Sequence, residues 1–139
     1  MDVAHVIQSA LAPVFLISGV GVMLGVLINR LARIVDRARA WEAEAEREPH
    51  RAEHLKERLQ VLARRSRYIS AAITMCAISA LLVALVVVAL FANAFLAVNL
   101  AGLIAILFVA AMLSLTGAFL AFLIEVRIAT ATIRIGHPR

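Results

Sequence analysis

Polar and small side chains recur at steps of seven residues along the first apolar segment of this 139-residue chain. One series contains Gln8 and Asn29, and a second series, offset by three positions, contains Ser18 and Gly25. On a helix, two such series lie on one side, as the a and d positions of a coiled coil do. We term this side the heptad face; it comprises Gln8, Leu11, Phe15, Ser18, Val22, Gly25, Asn29, Ala32, Asp36 and Arg39.

The heptad face has two interpretations in terms of membrane chemistry. The first, which we favour, is helix packing, because the Gly21-x-x-x-Gly25 spacing lets two backbones approach closely. The second is a water-lined path across the membrane with mixed charge at its inner mouth. In a symmetric oligomer the two interpretations overlap. The candidate pore-lining residues are Gln8, Ser18, Gly25, Asn29, Arg33 and Asp36, with Glu125 as a further candidate.

Glu125 and Pro13 each have a structural and a functional interpretation. Glu125 ends a long uncharged segment, and we expect it to pair with a neighbouring arginine such as Arg30, Arg67 or Arg127. In an oligomer it would instead join a charged ring that guides cations. Pro13 removes a backbone donor within the first apolar segment, so a kink or loosened turn is expected there. Neighbouring groups tolerate such a turn in membrane helices, and a gating hinge is the functional alternative.

The other reactive residues form no recognisable site. His50 and His54 have the four-residue spacing of a helical metal pair, but the pattern lacks a third ligand. Cys76 is the only cysteine, and we expect it to be a small packing residue. The sequence contains no glycine-rich phosphate loop and no nucleophile motif. We therefore expect no enzymatic activity, no metal and no cofactor.

The distribution of charge places this chain in a membrane. Hydrophobic residues make up 63% of it, against about 45–50% in soluble domains. No Asp, Glu, Lys or Arg occurs between Asp2 and Arg30 or between Arg67 and Glu125. An ionised side chain at the bilayer centre costs at least about 2.5–3.5 kcal/mol, which explains these gaps. We expect a single membrane domain over residues 1–139, whose first segment is a permanent anchor and not a signal peptide.

Three apolar segments are long enough to cross a bilayer, which takes about 20 residues. They cover residues 3–28, 69–91 and 100–124, with a turn at 92–99 where Asn93 and Asn99 offer partners to free backbone groups. Small residues at steps of four predict that the second and third spans pack tightly. These are Ala72, Cys76, Ala80 and Ala84 on the second span, and Ala110, Ser114, Gly117, Ala118 and Ala121 on the third. The predicted fold is an all-α integral membrane protein with three transmembrane helices.

The basic residues predict the orientation of the spans. Residues 30–67 hold eleven of the fourteen Lys and Arg and seven of the nine acids. The remaining arginines, Arg127, Arg134 and Arg139, all follow the third span. Short segments rich in Lys and Arg stay in the cytoplasm. We therefore expect the amino terminus outside and both the 30–67 segment and the carboxyl terminus inside.

Residues 30–67 are predicted to form a cytoplasmic helical hairpin between the first and second spans. Pro49 lies near the middle of the segment and breaks a helix interior, which leaves two halves of about 27 Å that reverse at Glu48–His50. A single amphipathic helix on the membrane surface is the alternative. The predicted contacts join Leu31, Ile34, Val35, Ala38, Trp41 and Ala45 to Leu55, Leu59, Leu62 and Ala63.

Two stretches resemble a known family. They are Ala12-Pro13-Val14-Phe15-Leu16 and the charged stretch that runs from Asn29 to Arg39. With them the chain resembles the bacterial membrane proteins of the domain-of-unknown-function family numbered twenty-seven twenty-one. The resemblance implies three spans in a bacterial inner membrane, with no settled activity and no assigned site residue.

Two functional hypotheses come from this pattern. The first, slightly favoured, is a homo-oligomeric channel for inorganic ions, with the first span lining the pore. The second is a non-conducting scaffold or regulator that docks a partner through the cytoplasmic hairpin. Nucleic acid is not an expected partner, because acids interleave with the bases of residues 30–67 and few aromatic residues lie nearby. The expected partners are the lipid bilayer, further copies of the chain and, for a channel, ions.

Overall fold

A computed structural model describes residues 3–136, and the side chains of residues 3–131. Three helices account for nearly all of this range: α1 (Val3–Arg47), α2 (Ala52–Phe95) and α3 (Ala101–Gly136). A short 3₁₀ turn, Pro49–Arg51, joins α1 to α2, and no strand occurs among the described residues. The protein is all-α. Arg139 lies outside the described residues, and the side chain of Arg134 lies outside the described side chains.

Each of the three helices contains a segment long and apolar enough to cross a membrane. The 45 residues of α1 extend about 67 Å at 1.5 Å per residue, whereas the hydrocarbon core is about 30 Å thick. Helices α1 and α2 therefore continue well beyond their apolar segments. Large apolar side chains such as Leu81, Val88, Ile106 and Leu113 are exposed on the outside of the three helices, as lipid contact requires.

Helices α1 and α2 pack antiparallel along a stripe that recurs every seven residues. On α1 the buried stripe contains Val6, Pro13, Val20, Leu27 and Ile34. On α2 it contains Leu55, Leu62, Ile69, Cys76 and Val83. Seven-residue periodicity on both partners keeps one side of each helix against the other along their length. Helix α1 thus has one covered side, and the heptad face lies on the other.

The chain reverses between α1 and α2 at residues 48–51. Pro49 starts the 3₁₀ turn, where its missing N–H leaves no partner unsatisfied. The Arg51 guanidinium lies 2.6 Å from the Glu44 carboxylate and 3.3 Å from that of Glu48. Further along the pair, the Arg58 guanidinium lies 5.6 Å from the centre of the Trp41 ring. These contacts hold α1 and α2 together beyond their apolar segments.

The hairpin contacts predicted from sequence match the structure at most positions. Ile34, Leu55 and Leu62 are buried between α1 and α2. Val35 and Ala63 are more exposed, and both line an open groove between α1 and α2. Their exposure follows from the narrowness of the buried stripe. It follows one position in seven, and the residue that comes directly after a stripe position points about 100° away from it.

Helices α2 and α3 form a second close contact, which confirms the predicted tight packing of the last two spans. The Ser79 hydroxyl donates to the Ala111 carbonyl across 2.9 Å, and the Ser114 hydroxyl donates to the Met75 carbonyl across 2.7 Å. Gly117 lies so close to Met75 that a Cβ at this glycine would be 2.8 Å from the Met75 sulfur. Helix α2 thus lies between α1 and α3 and contacts both of them.

The connection between α2 and α3 is shorter than the predicted turn at 92–99. Helix α2 continues to Phe95, whose ring stacks on that of Phe91 with 6.1 Å between centroids. The two asparagines accept backbone hydrogen bonds as expected. Asn93 Oδ1 accepts from the Leu100 N–H at 2.9 Å, and Asn99 Oδ1 accepts from the Ala101 N–H at 3.3 Å. They cap the start of α3.

Candidate functional site

All ten positions of the heptad face are exposed in the structure of the single chain. Two of its large apolar members, Phe15 and Val22, are 70% and 72% exposed. The Ser18 hydroxyl donates only to the Val14 carbonyl of its own helix, at 3.3 Å. Among the described residues, the Gln8 and Asn29 side chains have no hydrogen-bond partner. The structure brings these polar groups onto one side of α1, and neither α2 nor α3 covers them.

The space beside the glycines of α1 is equally open. A Cβ added to Gly19, Gly21 or Gly25 would meet nothing within 4 Å. The Gly21-x-x-x-Gly25 spacing is therefore not used for packing inside the protomer. Any close helix contact that these glycines make must come from a molecule other than the protomer itself.

Pro13 belongs to the opposite side of α1. It is buried in the stripe that faces α2, and α1 remains a single helix from Val3 to Arg47 around it. A kink or hinge at Pro13 stays a prediction. The structure does place the proline away from the heptad face.

Glu125 is fully buried where the three helices meet. Its Oε2 accepts from Arg30 Nε at 3.1 Å and from Arg30 Nη2 at 2.6 Å, and its Oε1 accepts from Arg65 Nε at 3.1 Å. Each helix supplies one member, since Arg30 lies on α1, Arg65 on α2 and Glu125 on α3. The ring of Phe122 lies 5.3 Å from the Arg30 guanidinium carbon and supports it from α3. We term Arg30, Arg65 and Glu125 the ionic cluster.

The ionic cluster confirms that Glu125 pairs with a neighbouring arginine and shows which of the three candidates it is. Arg30 is a partner of Glu125, as the sequence suggested. Arg67 and Arg127 are exposed and do not pair with it. Glu125 also lies apart from the exposed heptad face, because its carboxylate is enclosed between α1, α2 and α3.

The two histidines remain on the surface of α2 and the turn before it. His50 and His54 are both exposed. Among the described residues, no three His, Cys, Asp or Glu side chains lie close enough to share a metal ion. Cys76 is buried in the contact between the helices, where it packs as a small side chain.

A family model described as "Protein of unknown function (DUF2721)" matches residues 10–135. The chain belongs to this DUF2721 family. The resemblance found at residues 12–16 and 29–39 is thereby confirmed, and both stretches lie within the match. No curated protein and no solved structure matches the chain.

In this DUF2721 protein, the Asn29–Arg39 stretch has parts on two surfaces. Asn29 and Asp36 belong to the exposed heptad face, and Arg30 belongs to the ionic cluster. Arg33 lies between them, four residues after Asn29 and three before Asp36. It is exposed at the border of the heptad face. The stretch thus joins the open side of α1 to the contact among all three helices.

Sequence reasoning missed Arg65, although the helical register contains the signal for it. Ser79 on α2 contacts Ala111 on α3. Because α2 and α3 are antiparallel, the residue fourteen positions before Ser79 meets the residue fourteen positions after Ala111. Those two residues are Arg65 and Glu125. Once one contact between the helices is known, the second follows.

Proposed function

We propose that this DUF2721 protein is the protomer of a homo-oligomeric ion channel in which heptad faces from several copies surround a central path. The observation that carries the proposal is the exposure of the complete heptad face, with Gln8 and Asn29 unpartnered within the described residues. A polar amide that faces hydrocarbon without a partner is unfavourable. Further copies of the same face would cover these groups, and cyclic symmetry is the common solution for such contacts.

The spacing of the polar positions fits a membrane-spanning path. Gln8 and Asn29 are 21 residues apart, or about 31 Å along the helix, which is close to the thickness of the hydrocarbon core. Ser18 and Gly25 lie between them on the same face. Asp36 continues the face beyond Asn29, with Arg33 at its border, and both would lie at the inner mouth. Neutral polar groups with charge at the mouth are the means by which pores admit ions.

Phe15 and Val22 give the proposed path a narrow apolar zone. Both project from the heptad face and are the most exposed of its large apolar side chains. Rings of such side chains gate channels because water leaves a sufficiently narrow apolar constriction. Glu125 is not part of the proposed lining, because its carboxylate is enclosed in the ionic cluster.

The proposed orientation follows from the basic residues. With Lys and Arg inside, the amino terminus lies outside the bacterial inner membrane. The hairpin formed by residues 30–67 then lies in the cytoplasm, and the carboxyl terminus with it. The mouth at Asp36 is accordingly the cytoplasmic one.

Crosslinking between copies tests the assembly. In a Cys76→Ser background, Ser18→Cys places a thiol on the heptad face, and Leu113→Cys places one on the exposed side of α3. We expect oxidation in membranes to yield dimers from Ser18→Cys and few from Leu113→Cys. Equal crosslinking of the two variants would contradict an interface at the heptad face.

Ion flux into liposomes that contain the purified protein tests conduction. We expect flux of sodium, potassium, calcium or chloride above that of empty liposomes. Asn29→Leu and Gln8→Leu should reduce it, because each removes a ring of polar groups from the path. Phe15→Ala should increase it, because it widens the apolar zone. Leu113→Ala, on the exposed side of α3, is the matched control and should leave flux unchanged.

A second candidate function is a non-conducting scaffold that docks a partner through the hairpin. The observation in its favour is the length of α1 and α2 beyond their apolar segments, which a pore alone does not require. From Arg30 to Arg47 the extension of α1 is about 26 Å long. Intact oligomers that show no flux for any of the four ions would exclude the channel and favour the scaffold.

A further inference from the structure

A cavity of about 170 Å³ opens between α1 and α2 beside the ionic cluster. One water molecule occupies about 30 Å³ of the liquid, so the cavity has room for several. Its walls are mostly arginine. The lining residues are Arg30, Arg33, Ile34, Arg37, Leu62 and Arg65.

The cavity carries a large excess of positive charge. Four guanidinium groups line it, and Glu125 is the one carboxylate that pairs with any of them among the described residues. Arg33 and Arg37 make no ion pair within that part of the chain. Four positive charges against one negative charge leave an excess of three. Such an excess in a concave site attracts an anion that can accept several hydrogen bonds at once.

Glu125 orients two of the arginines without using all their donors. A guanidinium has five N–H groups. Arg30 directs its Nε and Nη2 to Glu125, and Arg65 directs only its Nε there. The remaining N–H groups of both side chains are held next to the cavity. The Arg65 side chain is 15% exposed, so its position is largely fixed by its surroundings. These two of the four arginines are therefore preorganised before any ligand arrives.

The cavity lies at the depth of lipid headgroups. Arg30 is the first charged residue after the uncharged stretch of α1, and Glu125 is the first after that of α3. Arg65 comes two residues before Arg67, the last charge ahead of the apolar part of α2. The three apolar segments thus all end near the ionic cluster. Basic pockets between membrane helices at this depth bind phosphorylated headgroups.

We propose that Arg30, Arg33, Arg37 and Arg65 form a binding site for a phosphate group, of the kind carried by anionic phospholipid headgroups and by inorganic phosphate. Arginine forks match the geometry of phosphate oxygens, which accept paired N–H donors. The site lies in one protomer, so it does not depend on the proposed channel. If the protein conducts ions but binds no phosphate, only the proposed site is wrong. If it binds phosphate but does not conduct, only the proposed channel is wrong.

The first experiment measures lipid retention by native mass spectrometry of the full-length protein in detergent, with phosphatidylglycerol or phosphatidylcholine added. The test variant is Arg33→Gln with Arg37→Gln, because both side chains line the cavity, are exposed and lie outside the ionic cluster. The matched control is Arg64→Gln with Arg67→Gln, which removes two exposed arginines at a similar depth that do not line the cavity. Unfolding temperature is measured for each.

We expect the unaltered protein to retain phosphatidylglycerol in preference to phosphatidylcholine. The Arg33→Gln, Arg37→Gln variant should lose about tenfold or more in affinity, and the Arg64→Gln, Arg67→Gln variant should lose much less. Arg33→Lys with Arg37→Lys keeps the charge but not the forked pair of donors. Its affinity for phosphatidylglycerol should lie between those of the unaltered protein and the Arg33→Gln, Arg37→Gln variant. An equal loss in the two glutamine variants would show a surface-charge effect and overturn the proposal. Absence of any phosphatidylglycerol preference, together with no saturable binding of inorganic phosphate in the second experiment, would overturn it as well.

The second experiment separates the two sources of phosphate. Inorganic phosphate is titrated against the protein by calorimetry, with sodium chloride at equal ionic strength as the control. Saturable phosphate binding that the Arg33→Gln, Arg37→Gln variant loses would assign the site to the free ion. Retention of phosphatidylglycerol without binding of inorganic phosphate would assign it to the headgroup. Failure of both probes would overturn the site.

Discussion

The contact between α2 and α3 and the heptad face of α1 are built from similar residues but differ in whether they are covered. Each carries glycine and serine on one side of a membrane helix. In the α2–α3 contact, Gly117 touches Met75, and Ser79 and Ser114 donate to carbonyls of the facing helix. On the heptad face, a Cβ added to Gly25 would meet nothing within 4 Å, and Ser18 donates to its own helix.

The comparison shows that small and polar residues do not by themselves indicate which partner a membrane helix has. Between α2 and α3 they serve a contact within the chain. On α1 the same types of residue lie open, while large side chains such as Val20 and Leu27 form the buried stripe toward α2. In lipid, association depends on close packing and hydrogen bonds between helices. An open face with both features is the basis of the proposed self-association.

Matched substitutions on the two surfaces test this distinction. A change in the covered contact should lower the stability of the protomer itself. A change on the heptad face should leave the stability of the protomer unchanged and weaken self-association, which depends on protein concentration. The expected difference is largest for the acids Glu125 and Asp36, smaller for the glycines Gly117 and Gly25, and smallest for the serines Ser79 and Ser18.

The acid pair should give the largest difference. Glu125→Gln removes the buried charge between Arg30 and Arg65, and breaking a buried ion pair costs about 3–5 kcal/mol. We expect a loss of about 3 kcal/mol in the free energy of unfolding, at the lower end of this range, because the Arg30 side chain is 32% exposed and partly solvated. Titration with a denaturing detergent at high dilution measures the loss.

Asp36→Asn is the control for Glu125→Gln. Asp36 is exposed on the heptad face, and exposed substitutions usually change stability by less than about 0.5 kcal/mol. If Asp36→Asn and Glu125→Gln lowered the unfolding free energy equally, the ionic cluster would not hold the three helices together.

The glycine pair comes next. Gly117→Ile would force a branched side chain against Met75, and overpacking a tight contact costs about 1–3 kcal/mol. Gly117→Ala should cost less, because the thioether end of Met75 is flexible and can shift. Gly25→Ile should not change protomer unfolding, since the space beside Gly25 is open.

Gly25→Ile should instead weaken association between copies. Detergent-corrected mass measurement by light scattering, over a range of dilutions, compares it with the unaltered protein. An oligomer that is unchanged by Gly25→Ile would place the interface elsewhere on the protomer. A monomer at every concentration in the unaltered protein would remove both the interface and the proposed pore.

The sequence predicted those parts of the fold that depend on local patterns. The apolar segments follow from the absence of charge, and the roles of Asn93 and Asn99 follow from where those segments end. The pairing of Glu125 with an arginine at the same depth also follows, although the sequence left Arg30, Arg67 and Arg127 open as its partner.

The parts that could not be predicted depend on the rotation and register of the helices. Helix α1 has two sets of residues at seven-residue spacing, the heptad face and the stripe through Val20 and Leu27. Periodicity alone does not tell which of the two faces α2. Arg65 was missed for a related reason, since its contact with Glu125 requires the register of α2 against α3. Both quantities are set by packing between distant segments, which a single sequence does not display.

The serine pair gives the smallest expected difference. Ser79→Ala removes a hydrogen bond to the Ala111 carbonyl, which retains its helical partner, so no buried acceptor is left unpaired. Hydrogen bonds between membrane helices average about 0.6 kcal/mol, and we expect a loss of about that size in the unfolding free energy. Ser18→Ala removes a bond within α1 and should have no measurable effect on the protomer. If Ser18→Ala lowered protomer stability as much as Ser79→Ala, the heptad face would be a covered surface, and the contrast between the two helix surfaces would be wrong. Detergent titration of both variants at one low concentration decides this, because any contribution from association is then excluded.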